Sequence, residues 1–150
     1  MAVKVGFTGS SEIITEKQCK VLVQLLTAIN NDKGISQFHH GDCIKSDAEA
    51  HKLVRMYFKS ARIFLHPPTK HIKRAFCVGD ETYPEKNYLA RNKHMVNKID
   101  ILFATPKQEK DVIRSGTWST IRYAQKVNKI IYIILPDGRY EIKESIQNGC

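Results

Sequence analysis

Residues 99–138 read IDILFATPKQEKDVIRSGTWSTIRYAQKVNKIIYIILPDG, and they decide the fold class. An apolar, β-branched run, IDILFAT, comes first. After a polar stretch, Ile121, Ala124 and Val127 recur at helical spacing. The run KIIYIILPDG then forms the most apolar segment of the chain. Strand, helix and strand in that order, with strands too apolar to face water, predict a parallel pair joined by a right-handed crossover helix. Within this unit, Ser115, Gly116 and Thr117 open the helix. A helix start leaves backbone N–H groups without partners, and small residues let an anion approach them, so the three residues form a candidate phosphate cradle. An ordinary N-cap at Ser115 or Thr117 accounts for the same residues.

Outward from this unit the pattern repeats. Val3–Thr8 reads as a buried strand stopping at Gly9, and Val21, Leu22, Leu25, Leu26 and Ile29 mark a helix capped by Thr15. A strand over Ile35–His39 precedes a helix begun by Ser46 or Asp47, with Ala50, Leu53, Val54, Tyr57 and Phe58 on one face. The run RIFLH gives a third strand, closed by Pro67 and Pro68. Residues 67–85 read as a long loop of the kind that often serves binding, and a helix near 85–97 carries Tyr88, Leu89, Asn92, Met95 and Val96. Five alternations of strand and helix predict a three-layer α/β sandwich around a mainly parallel five-stranded sheet, as a single domain over 1–150.

Charge and cysteine usage narrow the function classes. Lys and Arg number 24 against 15 Asp and Glu, a net +9, which favours an anionic partner. The only tight basic cluster is KHIKR at 70–74, so clustering does not signal a nucleic-acid groove. The N-terminal residues carry no signal-peptide pattern and no stretch has the length of a membrane span, so a cytoplasmic protein without membrane contact is expected. Cys19, Cys43, Cys77 and Cys150 are scattered without a Cys-x-x-Cys pair and read as reduced thiols.

In parallel sheets ligands bind beyond the carboxyl ends of the strands. After the first strand, Gly9, Ser10 and Ser11 could surround a phosphate, although the Gly-x-Gly-x-x-Gly spacing and a P-loop lysine are missing; a tight turn needing positive φ at Gly9 is the alternative. After the second strand, Gly41 and Asp42 offer a carboxylate for ribose hydroxyls or for capping a turn. His39, His40, Asp42 and His51 are close in sequence, but adjacent histidines on a strand point to opposite faces, so no metal is expected. No cofactor is expected either. The Arg91 guanidinium has the shape to hold phosphate or carboxylate, and Asn92 shares an apolar face and needs buried partners. Trp118 either stacks on a base or packs in the core.

Taken in order, Gly-Ser after the first strand, HGDCIKSDAEAH at 40–51, LARNKHMVNKIDILFATP at 89–106 and SGTWSTIRYAQKVNKIIYIILPDG at 115–138 resemble the small stand-alone members of the SLOG superfamily. These are Rossmann-like domains related to the DNA-processing protein A core and to the Lonely-guy phosphoribohydrolases. The resemblance implies a nucleotide or nucleotide-derived ligand, such as an ADP-ribose-like molecule or a cyclic nucleotide, bound by a sensor, carrier or sponge. It implies walls from Gly9, Ser10, Gly41 and Asp42, contacts from Arg91 and Asn92, and phosphate at Ser115, Gly116 and Thr117. A dimer or tetramer is implied as well. Lonely-guy enzymes carry a catalytic glutamate where this chain has Thr120, and a hydroxyl cannot take over a carboxylate's work on a glycosidic bond. An N-glycosidic enzyme, either a phosphoribohydrolase or deoxyribosyltransferase-like with Asp42, Glu81 or Glu85 as its carboxylate, is the alternative, and single-stranded nucleic acid is the third reading.

Overall fold

The computed structural model describes residues 2–144. The strands are β1 (Val3–Gly9), β2 (Ile35–His40), β3 (Arg62–Leu65), β4 (Glu81–Thr82), β5 (Ile101–Thr105), β6 (Ile130–Ile134) and β7 (Tyr140–Lys143), interleaved with α1 (Glu16–Asp32), α2 (Ser46–Tyr57), α3 (Tyr88–Asn97) and α4 (Gly116–Lys126). They form one seven-stranded sheet in the order β4-β3-β2-β1-β5-β6-β7. Every pairing is parallel except that of β7 with β6. The chain winds outward from β1 in one direction through β4 and in the other from β5, an arrangement compatible with a Rossmann-like fold.

The β5–α4–β6 unit folds as its sequence predicts, with Ile101 beside Ile130 and Ala104 beside Ile133. Side chains alternate across the sheet, so one strand feeds two cores. Ile101 and Phe103 of β5 join Leu22 and Leu26 of α1 and Ala50 and Val54 of α2 on one face. Leu102 and Ala104 join Met95 and Val96 of α3 and Trp118, Ile121 and Ala124 of α4 on the other. At about 1.5–3 kcal/mol for each large apolar side chain buried, these two layers hold both helix pairs against the sheet. Thr15 caps α1 in a reciprocal capping box with Gln18, as the sequence suggests.

The sheet has seven strands rather than five. The two additional strands are short edge strands: β4 is exposed throughout and β7 nearly so, and without burial they show none of the apolar runs that mark the central ones. β4 also revises the loop expected at 67–85. That segment contains a 3-10 turn at His71–Lys73 and is tied down at several points. The Asp80 carboxylate accepts from Ile63 N and from Arg55, and the Ala75 and Tyr83 amides donate to the carbonyls of Asp42 and Leu65. Among the described residues, no helix is long and apolar enough to cross a membrane.

Candidate functional site

A cleft of about 720 Å³ opens beyond the carboxyl ends of β1, β2 and β5, where the sheet's winding changes direction. Its walls come mainly from four separated segments, Phe7–Glu12, Gly41–Asp47, Tyr88–Met95 and Lys107–Ser119, with Lys73 added from the 71–73 turn. Lys45, Lys73, Arg91, Lys107 and Arg114 line it, against two carboxylates, Glu12 and Asp47. The excess of cations suits an anionic ligand.

Ser115 is the N-cap of α4, its hydroxyl accepting from Trp118 N at 3.2 Å. That bond uses one of the helix's orphan donors; the amides of Gly116 and Thr117, still nearer the start, have no acceptor inside the helix. The cap and the cradle are therefore compatible. The three glycines at the cleft differ in what surrounds them. A Cβ at Gly9 would lie 2.4 Å from Ser46 Oγ and 2.8 Å from Thr105 Oγ1, so Gly9 is required by close packing of α2's start against β1. Its φ is not positive, which removes the tight-turn explanation. A Cβ at Gly41 would lie 2.2 Å from Arg91 Nη1. A Cβ at Gly116 would meet nothing within 4 Å, so this helix start stands open to the cleft. Ser10 and Ser11 face the same space from the β1 side, with Ser10's carbonyl held by Ser46 Oγ at 2.6 Å.

Arg91 is less free than its sequence position suggests. Its Nη1 donates to the carbonyls of Gly41 at 2.6 Å and His66 at 3.2 Å, and Nε donates to Asn92 Oδ1 at 2.7 Å. The guanidinium thus ties α3 to the loops after β2 and β3, and it gives Asn92 the buried partner it needs. Nη2 has no hydrogen bond among the described residues. Neither is it a sealed orphan, because only Thr105 Oγ1 and Trp118 Nε1 are both fully buried and unpartnered there. Nη2 is the part of Arg91 left for the cleft.

Two residues expected at the ligand lie elsewhere. Asp42 is fully buried, accepting from Arg74 Nε at 2.6 Å and from Cys77 N at 2.9 Å, and it does not line the cleft. Its φ of +52° turns it under the 74–77 segment, which it anchors. Trp118 packs with Met95 and Ile121 in the α3/α4 core. Glu81 and Glu85 are exposed at the β4 edge, paired with Arg62 and with His71 and Arg74 respectively, and neither lines the cleft. The carboxylate the sequence reading passed over is Asp47. Burial raises its pKa to about 6, against the pull of Arg91 and the Cys43 and Gly41 amides. It is the second aspartate of the GDCIKSDAEA motif, so the signal was present but was read only as a helix start.

Five histidines form one wired pair and one chain of three rather than an open site. The Asp42 amide donates to His40 Nδ1 at 2.9 Å, which places the His40 proton on Nε2, shared with His51 Nδ1 at 2.9 Å. Ligand atoms of His40, His51 and Cys77 lie within 4.8 Å of one another. A metal on His40 Nε2 would move that proton to Nδ1, facing the Asp42 N–H, so this wiring does not fit an ion. On the other face, His39 Nδ1 meets His66 Nε2 at 2.8 Å, and His66 Nδ1 meets His94 Nδ1 at 3.2 Å. Desolvation lowers the pKa of His39 to about 4 and drives those of His40 and His66 strongly down as well. Desolvation likewise raises the thiols of Cys43 and Cys77 to about 11 and about 12, and Cys19, Cys43 and Cys77 are all unpaired. Cys150 lies outside the described residues.

Comparison of the chain with protein-family models, with curated proteins and with solved structures returns no match.

Proposed function

We propose that the protein binds a nucleotide or nucleotide-derived anion in this cleft and acts as a sensor, carrier or sponge of the SLOG type. The observation that supports this reading is convergence. Four segments far apart in sequence, each bearing one of the resembling motifs, bring Ser10, Ser11, Arg91, Asn92, Gly116 and Thr117 to one basic cleft. Phosphate suits the open α4 start, where backbone N–H groups and the helix dipole act together. The side chains of Ile44, Tyr88 and Leu89, which also line the cleft, suit a base.

An N-glycosidic activity is the second reading, and Asp47 favours it as a cleft carboxyl that titrates near neutrality. Both readings are tested by a thermal-shift screen against nucleotides, ADP-ribose variants and cyclic nucleotides, with mass spectrometry of each mixture. A ligand at 100 times its Kd stabilises by about 2.7 kcal/mol, while turnover changes the ligand's mass. Binding of an unchanged ligand, weakened by Gly116→Asp, is the expected result. Release of free base moves the protein to the enzyme reading. No shift with any of these compounds refutes both and leaves single-stranded DNA to be tested by the salt dependence of its affinity.

A further inference from the structure

We infer that Asp47 and Arg91 together read the ribose hydroxyls of the bound nucleotide. The inference rests on the nucleotide reading of the cleft and specifies what lies at the β2 end of it. Asp47 and Arg91 are each more than nine-tenths buried, and both line the cleft. Each spends part of its polar head on the protein: Asp47 Oδ2 accepts from Cys43 N at 3.1 Å and its carboxyl is drawn to the Gly41 amide as well, and Arg91 Nη1 and Nε donate to Gly41, His66 and Asn92. Each also keeps one atom unspent. Asp47 Oδ1 and Arg91 Nη2 have no hydrogen bond among the described residues, and neither is sealed from the cleft as Thr105 Oγ1 and Trp118 Nε1 are sealed in the core.

An acceptor and a donor on one largely dry floor, not paired with each other, select for chemistry. Phosphate offers only acceptors and a negative charge, so it would satisfy Arg91 and be repelled by Asp47. A vicinal diol donates to a carboxylate with one hydroxyl and accepts from a guanidinium with the other. The pair's surroundings favour the sugar over the base. Gly41 carries no side chain between Asp47 and Arg91: a Cβ there would lie 2.9 Å from Asp47 Oδ2 as well as 2.2 Å from Arg91 Nη1. Tyr88 lies beside the Arg91 guanidinium at 5.1 Å and offers a flat neighbour for the base, with the α4 start left for phosphate. The role expected of Asp42 from its place after β2 thus falls to Asp47, five positions on.

The test is calorimetric titration with ADP, 2′-deoxy-ADP and 3′-deoxy-ADP. Loss of one hydroxyl leaves a buried group unpaired, so ADP is expected to bind at least about tenfold more tightly than one of the deoxy forms. Asp47→Asn, which keeps an acceptor for the loop amides, is expected to shrink that ratio severalfold while the protein remains folded by circular dichroism. Equal binding of all three by the wild type overturns the inference and leaves nucleotide binding standing. A ratio that survives in Asp47→Asn also overturns it. Where ADP does not bind but ADP-ribose or a cyclic nucleotide does, the comparison is made between that compound and its deoxy forms, and equal binding overturns the inference; failure of every nucleotide refutes the underlying reading as well.

Discussion

Acidification from pH 7.5 to 5 is predicted to remove a large part of the protein's stability, and the buried histidines set the amount. His39, His40 and His66 are each 1% exposed or less and are held neutral. A histidine whose folded pKa lies below its unfolded value contributes nothing above about pH 6.5, where both states are neutral. Below that, the unfolded chain takes up a proton that the folded one refuses, and stability falls as pH falls. At pH 5, an unfolded pKa of about 6.5 against a folded one of about 4 for His39 and about 2 for His66 gives about 2 kcal/mol per residue, or about 4 kcal/mol for the two, and His40, pushed the same way by burial, adds to it. His51 and His94 are shifted in the same direction and add to the loss.

Asp47 opposes this. Its carboxyl is raised from 3.8 to about 6, so the folded state regains the proton first as the pH drops and recovers about 1.4 kcal/mol by pH 5. The net loss from His39, His66 and Asp47 is about 2–3 kcal/mol, a large share of a marginal domain's stability. Urea unfolding at half-unit pH steps measures it directly. His39→Gln lowers the stability at pH 7.5 but makes the pH slope shallower by about 1.2 kcal/mol per unit between pH 6 and 5, because one refused proton is gone. A stability that is flat or rising between pH 7.5 and 5 would refute the claim that these imidazoles are neutral and buried.

Gly116→Asp is predicted to leave the melting temperature unchanged or slightly raised, because its Cβ has open space and an acid suits a helix start. The same carboxylate about 4 Å from a bound phosphate costs between about 1 kcal/mol in water and about 4 kcal/mol near a protein surface, a loss of about fivefold to a thousandfold in affinity by calorimetry. Asp42→Ala leaves Arg74 and the Cys77 amide without their buried acceptor and is expected to destabilise by about 3–5 kcal/mol, with new proteolytic cleavage between residues 70 and 80. Asp42→Asn, which tolerates the positive φ, should lose less. Lys45 holds φ +73° and ψ −106° at the start of α2, a region costly for any side chain, and its exposed pairing with Glu12 at 3.9 Å offsets little of that. Lys45→Gly is expected to stabilise by about 1–2 kcal/mol in urea unfolding and to weaken anion binding, since a cleft cation is lost.

What the sequence made legible follows from which interactions are periodic. The central strands and all the helices are visible because burial on a sheet face or a helix stripe imposes apolar spacing, as in Ile101–Thr105 and in Ile121 and Ala124 of α4. β4 and β7 are edge strands held by backbone pairing, and pairing leaves no trace in composition. The same distinction runs through the site. Ser115 and Gly116 could be placed from sequence because a helix start is a local event, governed by the residues on either side of it. Asp42 and Asp47 could not be told apart that way. Both are acids after the same strand, and what separates them is the 74–77 segment, which covers Asp42 with Arg74 and Cys77 and leaves Asp47 on the cleft floor. Arg91 lines the cleft, but the Gly41 and His66 carbonyls that take Nη1 come from other strand ends and leave no mark beside it in the sequence. A side chain's neighbours along the chain therefore decide its backbone role, whereas its chemical role is divided among partners that only the assembled sheet brings within reach.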